Sequence, residues 1–413
     1  MSETATQPGA LAGIRVVDFT QVISGPFTSY QLGCMGADVV KVEQPGTGDQ
    51  GRGMLAPTPE AAAAGMSALF TSVNSGKRSL TLNLKHEGAS EVVEALVRNA
   101  DVVVENFKAG TLERLGYDEA KLRAWTPDLV LCRISGFGQS GPRSDAAAYD
   151  PVVQAQAGMM SVNGTGEDGP TKVGFWVVDM ATGMNAALAI TSALLARATP
   201  GSHASTHGET LDVAMLDTAI SLLSPLVNLQ LNYAVSPPYT GNGTPGTGGS
   251  STVYPTRTAH VTVAAATDAQ FKAMVTVLGL SELADDERFA KRAARISASA
   301  QLRPLLVAAF ARETAAHWVK RLTEVGVPSA EVQSVSDLEV DPQVQHREQF
   351  TKVGAAPGFS DAFRAINMGF KRNGESLQPR SPPPSAGADS DAVLTELGFS
   401  DTKIAELRQQ GII

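Results

Sequence analysis

The chain has 413 residues, 43% of them hydrophobic and 18% charged, with a formal net charge of -9. That length allows two domains with large cores, and the composition is that of an ordinary globular protein. The negative balance, with no run rich in Lys and Arg, argues against nucleic acid as a partner.

In chain order, residues 14–19 form a short β-rich run, and Ser24, Gly25 and Pro26 make a good helix entry. Residues 27–35 follow as a helix, with Gly36 as its stop, and residues 38–43 are the next strand. A second unit repeats the scheme: strand 79–84, helix 87–99, buried strand 101–105. Residues 129–134 are a further strand, ending in the glycine-rich turn 135–142. Alternating strands and helices predict an open parallel sheet covered on both faces, with ligands outside the carboxyl ends of its strands. Residues 236–252 have no hydrophobic face and predict a mobile loop. A strand at 260–265 and helices at 268–278, 299–311 and 315–325 then suggest a smaller domain over 223–339. Residues 373–390 read as a linker and 390–411 as one or two closing helices.

Cys34 and Cys132 are too few for a disulfide framework and read as core residues. The polar N-terminal residues, with no cationic region before an apolar one, are not expected to act as a signal peptide. No uncharged apolar run reaches spanning length; residues 209–230 come nearest, interrupted by Asp212 and Asp217. A cytoplasmic enzyme with no membrane partner is expected.

The turn after the first strand lacks the G-x-G-x-x-G fingerprint, so a dinucleotide cofactor is not expected. His203 and His207 sit in a loop composition without further ligands, so no metal is expected. No G-x-S-x-G elbow supports a serine triad. Three loops that carry cations beside strands, around Arg52, Lys77–Arg78 and residues 106–114, suggest a phosphate-bearing small ligand. Asp179 ends the apolar stretch 173–178, which reads as a buried strand, and opens an Ala-rich helical run. Such an acid is either an N-cap, worth ~1 kcal/mol, or a nucleophile. The helix start would hold it ionised, and the pattern alone leaves both roles open.

The chain resembles the class III (family III) CoA-transferases, which include formyl-CoA:oxalate transferases, carnitine CoA-transferases and α-methylacyl-CoA racemases. The resemblance runs from about residue 10 to 411. It is carried by residues 11–20, Gly25-Pro26, 32–43, Gly48-Asp49, 74–79, 101–107, 135–138, 178–183, 326–328 and Asp341-Pro342. It implies a Rossmann-like open parallel sheet in a large CoA-binding domain built from both chain ends, residues 1–222 and 340–413, a smaller α+β domain from the middle, residues 223–339, and an interlocked homodimer. It also implies an acyl-CoA:carboxylate CoA-transferase. Coenzyme A would be a thioester substrate beside a small carboxylic acid, with no permanently bound cofactor.

By position, Asp179 matches the family's nucleophile, which forms an aspartyl anhydride and then an aspartyl-CoA thioester. Residues 241–251, with Gly248 and Gly249, resemble the glycine loop that shields this site, although Ser250 and Ser251 stand where a glutamine would follow. Ile23, Asn74, Lys77, Arg78, Asn106 and Arg114 fall where the family binds CoA. Gln44 replaces a basic residue, a phosphate contact that Arg52 is a candidate to supply. The racemase branch pairs an acid with a histidine, whose place is held by Tyr149. A phenol of pKa about 10 is a poor base, so transferase is favoured over racemase. Tyr149 either packs or orients Asp179, and Asp150 either assists or starts the next helix. A non-catalytic CoA-binding homologue, with Asp179 only a cap, is the remaining alternative. The acid is not named by the sequence. A basic residue in an open pocket would suggest a dicarboxylate; an apolar pocket, a branched or aromatic acid. Phe137, Phe175 and Trp176 are candidates for its walls or for the core.

Overall fold

A computed structural model describes residues 9–165, 167, 169–201, 207–244, 246–247 and 249–413. Two compact units emerge. The first takes in the chain up to Met159, Val173–Asn228 and Gln343–Ile413; the second takes in Met160–Lys172 and Leu229–Pro342.

The first unit is built on β1 (Arg15–Asp18), α1 (Ser24–Cys34), β2 (Asp38–Glu43), β3 (Arg78–Thr81), α2 (Ala89–Arg98), β4 (Val102–Glu105) and β5 (Val130–Ser135). It continues with α3 (Asp150–Gln156), α4 (Val177–Ala198), β6 (Thr210–Ala214) and α5 (Met215–Leu222). The strands form one sheet in the order β3-β2-β1-β4-β5-β6, every pair parallel. This is the doubly wound order, whose reversal between β1 and β4 opens a crevice at the strand ends.

The central strands β1, β2, β4 and β5 carry apolar side chains on both faces because both faces are covered. Val16, Val39, Val102, Val104 and Ile134 pack with Leu32 of α1 and Ala186 and Ile190 of α4. Val17, Val40, Val103 and Leu131 pack on the opposite face with Val92, Val93 and Leu96 of α2. The C-terminal helices Ser390–Glu396 and Asp401–Gln409 return to that second face through Val393, Leu394, Ile404 and Leu407. The expected α/β class with a parallel sheet is therefore present. Among the described residues α4, not 209–230, is the one helix long and apolar enough to cross a membrane by length and composition. In this unit it is a core helix against α1, β5 and β6.

A set of charges is buried where β1 and β2 end. Asp18 receives Lys77 Nζ at 3.0 Å and the hydroxyls of Thr20 and Ser29, each at 2.5 Å. Lys41 lies 2.7 Å from Asp49 Oδ2 and donates to the Thr20 carbonyl at 2.7 Å. Glu43 binds Arg52 through two donors, each at 2.7 Å, and accepts from the Ser79 hydroxyl. Burial alone would raise the Asp18 carboxyl, but Lys77, Lys41 and the hydroxyls of Ser29 and Thr20 together outweigh it and hold it at about 2. Burial pulls Lys77 down to about 8 against the attraction of Asp18.

The second unit holds an antiparallel sheet of β7 (Ser251–Pro255), β8 (His260–Ala264) and β9 (Ser329–Glu331). It packs with α6 (Asp268–Val277), α7 (Ser299–Phe310) and α8 (Ala315–Glu324) around Tyr254, Phe271, Phe310 and Trp318. The glycine-rich loop before β7 is anchored at its far end. Ser250 is buried and donates to Thr247 and Ala265 carbonyls, and the Tyr254 hydroxyl donates to Gly249 O.

Residues 373–390 are more than a linker. They contain half of the hairpin Lys371–Arg372/Glu375–Ser376 and are tied to the first unit by bonds from Gly76 N to Ser381 O and from Gly387 N to Ser79 Oγ.

Two neighbouring cations should behave oppositely. Lys77→Met strands Asp18 without its buried partner, an expected loss of about 3–5 kcal/mol in chemical denaturation. Arg78→Met breaks only partly exposed pairs with Asp38 and Glu396 and should cost no more than about 1 kcal/mol. Equal losses would contradict the burial of the Lys77 ammonium.

Candidate active site

A cavity of about 390 Å³ opens at the carboxyl ends of β1, β4 and β5, at the switch point of the sheet. Its walls are Gln21–Ser24 after β1, Asn106–Ala109 after β4, Ile134–Gly136 at the end of β5, and Ala146–Tyr149, with Gln50, Ser144, Asp179 and Met215. Among the described residues, Lys108 is the only lysine or arginine in this lining. A second cavity, about 510 Å³, adjoins it and shares Gln21, Gln50 and Phe107; Gln44, Lys85 and Thr111 also line it.

Asp179 is the third residue of α4, not its N-cap. The stretch before it is not a buried strand. Gly174 breaks the run, and Phe175 and Trp176 are exposed, 61% and 41%. Trp176 stands at the cap position and makes no side-chain cap bond. The free amides of α4 are satisfied from elsewhere: Asp150 Oδ2 accepts from Val178 N at 2.8 Å and from Asp179 N at 3.1 Å. Asp150 is buried, and its other oxygen accepts from Gln154 Nε2 at 2.5 Å. Gln154 in turn accepts from Val173 N at 2.8 Å.

The Asp179 carboxyl is thus not used as a cap. It is raised to about 7, first by burial and then by the negative charge of Asp150, against a hydrogen bond from Ser24. The helix start was expected to hold it ionised; desolvation and the neighbouring acid outweigh that influence. Ser24 comes close because position 183, one turn further along α4, is glycine. A Cβ there would lie 2.8 Å from the Ser24 carbonyl oxygen and 2.9 Å from Phe27. Similarly, a Cβ on Gly136 would lie 2.1 Å from Ala148 Cβ, so this glycine lets the segment leading to Tyr149 approach β5.

Of the residues singled out in the sequence, Asp179, Tyr149, Ile23 and Asn106 meet at the first cavity. Tyr149 is 62% exposed there. Asn106 also clips the first turn, exchanging hydrogen bonds with both backbone groups of Gln21 at 2.9 Å. Asn74 and Lys77 are buried beneath that turn, and Lys77 bonds Asp18, Asn74 and the Pro26 carbonyl. Arg78 pairs with Asp38 and Glu396 at the other end of the strands. Arg114 bonds the Thr111 hydroxyl at the second cavity. Arg52 is occupied by Glu43 beneath the first turn, so it does not replace the basic residue missing at Gln44. Phe175 and Trp176 line neither cavity, and Phe137 lies against Arg143. Gly249 belongs to the second unit; Gly248 and His203 lie outside the described residues.

Sequence reasoning did not find Ser24, Lys85 or Gln50 as individual site residues, nor the capping role of Asp150. Only Asp150 carried a signal, as an acid before a proline at a helix entry.

Residues 11–390 match CoA-transferase family III. The chain is 35% identical to a succinate–glutarate CoA-transferase of Agrobacterium fabrum, covering 96% of this chain and 98% of that one. It is 34% identical to an acetyl-CoA:oxalate CoA-transferase of Acetobacter aceti, covering 86% and 89%. Among solved structures, a CAIB/BAIF family protein from Brucella suis superposes with a TM-score of 0.83 at 31% identity, covering 95% of this chain and all of that one.

The raised carboxyl has a consequence for stability. Folded, Asp179 keeps its proton up to about pH 7; unfolded, only up to about pH 4. Between these values the folded state binds more protons, so this residue's contribution to stability falls as pH rises. Asp179→Asn removes the linkage. The variant's denaturation midpoint should rise relative to the parent's from pH 4 to pH 8, and a gap that stays flat would refute the raised carboxyl.

Proposed function

Since the chain belongs to CoA-transferase family III, we propose that it moves CoA between an acyl-CoA and a free carboxylic acid through covalent intermediates on Asp179. The observation that carries this reading is a partly buried carboxylate on the wall of a switch-point cavity, with the helix amides beside it already taken by Asp150. The named activities of the relatives support the overall exchange.

The ionised Asp179 attacks the thioester carbonyl of the donor, giving a mixed anhydride and CoA thiolate. The thiolate attacks the aspartyl carbonyl, forming an aspartyl-CoA thioester and releasing the donor acid. The acceptor carboxylate attacks that thioester, giving a new anhydride and freeing the thiolate. The thiolate then attacks the new acyl carbonyl and restores Asp179. No atoms are lost to water, and CoA held in place raises the effective concentration at each step. The adjoining cavity accommodates the nucleotide end of CoA, with Lys85 as its cation. Tyr149 and Ile23 border the thioester, and Asn106 fixes the turn beneath it.

The acceptor is proposed to be a dicarboxylic acid. Relatives named for succinate, glutarate and oxalate support this, as does the presence of a lysine, Lys108, in the cavity lining. A homodimer is supported by the apolar stripe that α4 leaves exposed in the single chain, Met184, Leu188 and Leu195.

A panel of carboxylic acids assayed with succinyl-CoA and acetyl-CoA tests the reading. Dicarboxylic acids should be preferred, and Asp179→Ala should abolish transfer and hydroxylamine-trappable acyl-enzyme. Lys108→Met should raise KM for a dicarboxylic acid about 10- to 100-fold, the value of a charged hydrogen bond, and leave a monocarboxylic acid nearly unaffected. Transfer that survives Asp179→Ala would end the proposal.

A further inference from the structure

We propose that Asp150 is a positioning residue for the transfer reaction: it caps α4 from outside the helix, which fixes the Asp179 backbone while leaving the Asp179 carboxylate free to react. Helices that begin with an acid usually spend it on their own first-turn amides. Here the cap comes from 29 residues upstream in sequence, from the first position of another helix. Both oxygens of Asp150 are committed, Oδ2 to Val178 N and Asp179 N, Oδ1 to Gln154. Gln154 extends the bracing to Val173 N, so the segment entering α4 is held at two points by α3. Pro151 follows in the first turn of α3, where it needs no N–H, and the Tyr149 backbone caps that helix facing the cavity.

The same contact sets the charge of the site. Asp150 faces Asp179 from α3, Ser24 faces it from α1, and Tyr149 and Lys108 stand on the cavity wall. The other elements packed on α4 bring Arg133 (β5), Asp212 (β6) and Asp217 (α5). Of these charges, Asp150 is the one that raises the Asp179 carboxyl. Acylation of Asp179 removes its negative charge and so relieves the repulsion. Asp150 therefore favours the anhydride and thioester over the resting carboxylate, while the cap holds the reacting group in place.

The assignment rests on the nucleophilic role proposed for Asp179, and its test separates the two. Asp150→Asn retains an oxygen for the amides but loses the charge, so the acid limb of the kcat profile should move to lower pH. Asp150→Ala loses the cap as well. Hydrogen exchange at the Val178 and Asp179 amides should speed up, and kcat should fall by up to about 100-fold with KM for the acyl-CoA little changed. If Asp150→Asn does not fold, Asp150→Glu takes its place. It retains the charge from a displaced position, so kcat should fall while the acid limb stays. A direct NMR titration of the Asp179 carboxyl and the amide exchange rates do not depend on turnover. They decide the inference even if Asp179→Ala proves active and the transfer mechanism fails. Unchanged exchange in Asp150→Ala, or an unmoved Asp179 titration in Asp150→Asn, would overturn it.

Discussion

The site depends on a buried, electrically balanced cluster at the ends of β1 and β2: Asp18, Glu43 and Asp49 against Lys41, Lys77 and Arg52. Ion pairs without solvent contribute little net stability, because desolvation offsets most of the attraction. Their effect here is geometric. The turn after β1 carries Val22 at φ 70°, a left-handed conformation that a β-branched residue adopts only under constraint. Its amide is held by Asp49 Oδ1 at 3.0 Å, the next carbonyl back in the turn but one, that of Thr20, by Lys41, and that of Pro26 by Lys77. In a dinucleotide site this turn would be glycine-rich and would bring a helix start to a pyrophosphate. Here ionic contacts replace glycine flexibility and present Ser24 toward Asp179 instead.

The cluster also explains why both chain ends belong to one unit. Arg52 donates to Glu43 and, at 3.1 Å, to the Pro384 carbonyl, and it lies over the Phe70 ring with 3.7 Å between guanidinium carbon and ring centroid. Ser79, bonded to Glu43, receives Gly387 N on its hydroxyl, while its own amide donates to Asp389. The returning segment is therefore connected to the residues that shape the first turn, although more than 300 positions separate them.

Much of the sheet was legible because its central strands β1, β4 and β5 are short, largely apolar runs flanked by turn chemistry, and burial on both faces leaves that mark. The place of Asp179 at the beginning of a helix was legible for the same local reason. The ionic cluster was not. Lys77 and Arg78 are adjacent cations in a polar segment, and nothing local tells that one turns inward to Asp18 and the other outward to Asp38. A strand was expected before Asp179 because Val, Phe and Trp favour strands. Strand propensity reflects packing against neighbours, and Phe175 and Trp176 are both exposed in the single chain, 61% and 41%. The cap on α4 was hidden by distance along the chain, since capping signals are read within three or four residues.

Two carboxylates compete for one helix terminus, and the outcome decides what each can do. The partial positive charge of a helix start resides in its free amides, so whichever acid binds them takes most of the stabilisation. Asp150 has them, along with Gln154, and is fully bonded within the core. Asp179 is left with a hydrogen bond from Ser24, a desolvated setting and a like charge beside it. A helix that capped itself with Asp179 would be locally more stable, yet its acid would be committed to its own backbone. Supplying the cap from α3 separates the two tasks: one acid secures the helix, and the other remains high enough in free energy to exchange its negative charge for a covalent bond.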